Sequence, residues 1–90
     1  MSFRFPDFSG TWREVPFIVG QRYRVIRTAR SHDGSLTVGE SLKYLGANYG
    51  HYDEVSVYVF VTDSGEERTW MLYDDQPLEL WSSIFQPLKN

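Results

Sequence analysis

Val55-Ser56-Val57-Tyr58-Val59-Phe60-Val61-Thr62 is the stretch on which the fold turns. Valine occupies every second position, and Ser56, Tyr58, Phe60 and Thr62 fill the others. Successive side chains of a strand point to opposite faces, so a strict period of two predicts a β-strand with one valine face and one aromatic face. With the valines taken as the core side, Tyr58 and Phe60 are expected to face outward and to need cover. That cover is expected from the chain's own N-terminal arm or from another molecule, unless the strand is turned over.

Working outward, Asp63-Ser64-Gly65-Glu66 is a tight connection, and Glu67–Tyr73 is the hairpin partner with Trp70 and Leu72 alternating. Asp74-Asp75-Gln76-Pro77 puts acids ahead of a proline, which suits the first turn of a short helix over Leu78–Ser83. Ile84–Leu88 reads as a short edge strand that tolerates Pro87. Upstream, Gly46–Asp53 reads as a loop rich in glycine and tyrosine, preceded by a strand over Ser41–Leu45. Gln21–Arg30 is the first strand, with Tyr23, Val25 and Arg27 on one face and Arg22, Arg24 and Ile26 on the other. Val19-Gly20 supplies a turn before it, and Asp33-Gly34 a turn after it. Residues 1–16 carry Phe3, Phe5, Phe8 and Trp12 without a period and are broken by Pro6, Gly10 and Pro16, so they read as an extended arm. Four large aromatics are too apolar for a solvated tail, and the arm is expected to lie on something.

Composition agrees. Of 90 residues, 31 are Val, Ile, Thr, Phe, Tyr or Trp, while alanine occurs only at Ala29 and Ala47. Branched and aromatic side chains suit a pleated sheet, and alanine is the best helix former, so the class is all-β. Ninety residues make one small domain with one modest core. The absence of cysteine excludes disulfides, thiolate metal sites and a cysteine nucleophile. No apolar run approaches a membrane span and no apolar stretch follows Met1, so no membrane is expected and a cytoplasmic protein is the default. The net charge of −3 conceals an asymmetry. Residues 1–30 hold six arginines against two acids, and residues 31–90 hold three basic residues against ten acids. The arginines are expected to pair chiefly with acids of the same domain.

The order of elements resembles a small five-stranded SH3-like barrel over residues 20–89, with residues 1–19 as an extended arm ahead of the barrel domain at 20–90. Gly39-Glu40-Ser41-Leu42 matches the glycine-acid turn into the second strand, Asp63-Ser64-Gly65 the distal turn, and Pro77–Ser83 the helical turn before the last strand. The peptide-binding motifs of signalling SH3 domains are missing: the first strand reads Tyr23-Arg24-Val25-Ile26, and Leu88 follows Pro87. Proline-rich peptide binding is therefore not implied. Val19-Gly20-x-x-Tyr23-x-Val25, with Gly39-Glu40, Tyr52-Asp53 and Trp70-x-Leu72, is also similar to a small bacterial family catalogued as a domain of unknown function, which implies no activity.

Sequence signals for chemistry are sparse. His32-Asp33 and His51-x-Asp53-Glu54 set histidines beside acids, but neither has a second histidine at ligand spacing, and no metal or cofactor is expected. There is no Gly-x-Ser-x-Gly elbow among the nine serines. Gly46-x-x-x-Gly50 lacks the lysine of a phosphate-binding loop. The paired acids Asp53-Glu54, Glu66-Glu67 and Asp74-Asp75 read as solvated turns and strand ends, and the chain is not expected to be an enzyme. The aromatics carry the functional expectation. Tyr49, Tyr52, Tyr58 and Phe60, with loop 46–54 and the strand arginines Arg22 and Arg24, are the candidate contacts of a non-enzymatic module that binds a protein partner or itself. A single-stranded nucleic-acid surface built on Arg22, Arg24 and Arg27 around Tyr23 is the alternative, disfavoured by the acidity of the rest of the chain. A small immunity or antitoxin-like role also fits the size and charge.

Overall fold

The long alternating stretch forms the middle of the sheet. In the computed structural model, which describes residues 10–31 and 34–88, Val55–Thr62 is β5. It pairs antiparallel on one side with β4 (Ser41–Gly50) and on the other with β6 (Glu67–Tyr73). β1 (Arg22–Val25) adds to β4, and β7 (Phe85–Pro87) adds to β1, giving the order β6-β5-β4-β1-β7. β2 (Ala29–Ser31) and β3 (Gly34–Leu36) make a separate two-stranded hairpin between β1 and β4. A 3₁₀ turn at Leu78–Leu80 runs into the four-residue helix α1 (Trp81–Ile84), just ahead of β7. The domain is all-β with a short helix before its last strand. Among the described residues no ladder joins β7 to β6, so the main sheet is open.

The faces of β5 are the reverse of the valine-inward expectation. Tyr58 and Phe60 are fully buried, and on their side the strands present Tyr23, Val25, Leu42, Tyr44, Trp70, Leu72 and Phe85. Val57 and Val61, on the opposite face, are half-buried, while Val55 and Val59 are buried there too. An aromatic side chain buries roughly 150–250 Å², more than a valine can, so a small sheet gains most by turning its rings inward. Phe17 packs into this inward face. Phe17 sits 5.4 Å from Tyr58, 5.0 Å from Phe60 and 5.2 Å from Phe85, ring centre to ring centre. The strand is thus turned over, and Phe17, just past the expected arm aromatics, joins the core against the inward rings. Trp12 is largely exposed, and Phe3, Phe5 and Phe8 lie outside the described residues. Trp70 lies in the core, and Trp81 packs against it from α1.

Two boundaries also differ from the sequence reading. The first strand stops at Val25, where Ile26 N–H bonds to Ile84 O at 2.7 Å and the chain bends into the hairpin. The supposed loop from Gly46 is strand: β4 continues to Gly50, after a register shift between Tyr44 and Gly46 that leaves Leu45 as a bulge. The turn signals fare better. Gly20 (φ +88°) closes an Ile18–Gln21 turn, and Gly65 (φ +89°) sits in the β5–β6 connection. No helix among the described residues is long and apolar enough to cross a membrane.

Candidate functional site

At the end of the sheet where β4 hands over to β5, the chain makes a turn at His51–Glu54. Glu54 takes φ +52°, the left-handed region that costs a residue with a Cβ about 1 kcal/mol or more. It is held there by a backbone bond: Asp74 N–H donates to Glu54 O at 2.9 Å, joining this turn to the one that follows β6. Tyr73, Asp53, Glu54, Asp74 and Asp75 thereby surround a shallow hollow of about 250 Å³. Asp53, Glu54 and Asp75 are exposed at its rim.

Asp74 ties the arm to this corner. Its Oδ1 accepts from Trp12 Nε1 at 3.1 Å and its Oδ2 from the Tyr49 hydroxyl at 2.5 Å. Its carbonyl accepts from Arg13 Nη2 at 2.8 Å. The bond to Asp74 holds the Tyr49 phenol above its ordinary pKa, with desolvation and the carboxylate's charge acting in the same direction. His51 meets the Tyr49 ring edge-on at 4.9 Å, and Arg13 lies over the Trp12 ring at 5.1 Å. Deeper in, Thr11 shares a hydroxyl bond with buried Ser56 at 2.7 Å. Among the described residues no hydrogen-bond partner meets the buried Tyr58 hydroxyl or the buried Nε and Nη1 of Arg13. Burial raises the Tyr58 pKa, opposed by Arg13 and then by Ser56.

The candidates named from sequence thus separate. Tyr49 and Tyr52 fall together at this corner: Tyr49 is half-buried and engaged with Asp74, and Tyr52 stands fully exposed on the turn. Tyr58 and Phe60 are inside and offer nothing to a partner in the folded chain. Arg22 and Arg24 lie elsewhere, on β1. Arg22 bonds Asp63 through Nη2 at 2.6 and 2.8 Å, an internal pairing of the basic first segment with the acidic remainder, and Arg24 is exposed. Trp12, in an aperiodic arm, and Asp74, in a turn, carry no local sequence signal that they meet. Among the described residues no group of His, Cys, Asp and Glu is arranged to hold a metal ion. His32 and Asp33 lie outside the described residues.

Comparison with solved structures finds an integron cassette protein from the mobile metagenome of Vibrio cholerae. It is 28% identical, with a TM-score of 0.61 over 78% of this chain and 83% of the other. The likeness shows that this all-β architecture is shared with a bacterial cassette protein. No family model matches the chain, and no curated protein matches it.

Proposed function

We propose that the chain is a non-catalytic, SH3-like interaction module whose acidic, aromatic corner binds a basic segment of a protein partner. The SH3-like reading is supported by the strand order β6-β5-β4-β1-β7, a hairpin inserted between β1 and β4, and a 3₁₀ turn before the last strand. One observation carries the functional reading. A fully exposed tyrosine, Tyr52, sits on a turn held in left-handed geometry, beside a hollow rimmed by Asp53, Glu54 and Asp75. Carboxylates attract a lysine or arginine from a distance, and a tyrosine or tryptophan face receives the cation and its methylene stem. Strain retained at a turn is common where a turn has work to do.

Isothermal titration with a short arginine-rich peptide tests the reading. Binding should weaken about tenfold in the double variant Asp53→Asn/Asp75→Asn and should fade with added salt. Equal affinity for the wild type and the double variant would refute it.

A further inference from the structure

A second concavity shares Tyr73 with the first and lies where β6 faces the bend leading into the β2–β3 hairpin. Among the described residues the hairpin packs against β6 without a ladder to the main sheet, and beside that contact lies a cleft of about 430 Å³. Its apolar lining comes from Trp70, Leu72 and Ile84, all buried, and from the partly buried Leu80. Its mouth carries Arg27 and Thr28, both exposed. Gln76 and Ser83 are polar members of its lining. Gln76 spends its Oε1 accepting from Tyr73 N–H at 3.0 Å, which leaves its amide nitrogen to donate, and Ser83 Oγ donates to Leu80 O at 2.8 Å.

The charge pattern of this cleft is unlike that of the chain. Among its described lining residues Arg27 is the only charged one, in a protein of net charge −3. Small-molecule sites are commonly concave, about 300–1,000 Å³, with apolar walls and a few placed polar or charged groups; this cleft has that size and mixes apolar with polar lining. We propose that the cleft binds a small amphipathic carboxylate. Its head group bonds Arg27, and its hydrocarbon part lies against Leu80 and Ile84. Orientation follows from what lies beyond Tyr73: Asp74 and Asp75 repel an anion at that end, so the carboxylate is directed to the Arg27 end.

Amide NMR titration of the full chain with octanoate, octanol and octylammonium is the test. Octanoate should give saturable shifts at Arg27–Ala29, Met71–Gln76 and Ser83–Ile84. Arg27→Gln should weaken it about fivefold, and Arg27→Lys should restore part of the loss. Octanol should bind more weakly than octanoate, and octylammonium should leave these amides unmoved. Because Arg27 is exposed, both variants are expected to give wild-type amide spectra without ligand. Absence of saturable shifts at millimolar octanoate would overturn the proposal. So would an unchanged octanoate affinity in Arg27→Gln, or octanol binding as tightly as octanoate.

Discussion

Phe17 lies among the rings of Tyr23, Tyr44, Phe60, Trp70 and Phe85, and its position between Pro16 and Ile18 gives no local hint of that role. Truncation leaves a cavity that these rings, already packed on one another, can close only in part. Phe17→Ala should cost about 3–5 kcal/mol in urea unfolding, a large share of the stability of a domain this small. Glu54 makes the opposite case. Its φ of +52° is strained for a side chain with a Cβ, and glycine adopts that angle freely. Glu54→Gly should therefore raise stability by about 0.5–1 kcal/mol while weakening capture of a basic peptide, as measured by thermal unfolding and titration. A variant that is less stable, or that binds as well as the wild type, would remove the link between strain and function. Neither residue announced itself in the sequence. Phe17 has no periodic neighbours, and the left-handed turn at Glu54 lacks the glycine or asparagine that usually marks one.

β5 was plain from its period, and the β5–β6 hairpin from Asp63-Ser64-Gly65. Which face of β5 turns inward was not, because alternation separates two faces without ranking them. The ranking needed Tyr44, Trp70 and Phe85 brought alongside by pairing. β4 shows a different failure. The bulge at Leu45 breaks the count of two, and the glycines at 46 and 50 suggest a loop, yet pairing with β5 holds the segment extended to its end. The corner follows from this extension, since Tyr49 reaches Asp74 only because β4 runs that far. Between elements, Arg22 on β1 meets Asp63 just past the end of β5, with 40% and 72% of the side chains exposed. Such a pair is screened by solvent, so Asp63→Asn should cost less than about 1 kcal/mol, and that small loss should shrink further in high salt. A larger, salt-insensitive loss would mean that the pair fixes the strand and does not merely decorate it.

For the molecule as a whole, the inward aromatic face sets a limit at alkaline pH. Burial holds the Tyr44 and Tyr58 phenols above the ordinary value, with Tyr58 and Tyr23 adding to the effect on Tyr44. The unfolded chain ionises its tyrosines near pH ~10, and the folded chain resists losing those two protons. Stability is therefore complete below that pH and is lost as pH rises above it toward the higher folded values. Tyr44→Phe should move the midpoint of alkaline unfolding, followed by tyrosinate absorbance, to higher pH; a midpoint unchanged or lowered would contradict the burial account. Charge is the other property at this scale. Internal pairing such as Arg22 with Asp63 takes up part of the basic first segment, and acids stand exposed at the corner beside β6. An amide NMR map of the whole chain titrated with an arginine-rich peptide tests whether the acidic corner receives a basic segment. Shifts should concentrate at Trp12, the turn residues His51–Glu54 and Asp74–Asp75, and leave Glu66 and Glu67 nearly unmoved. Shifts of equal size at Glu66 and Glu67, or none at the corner, would contradict it.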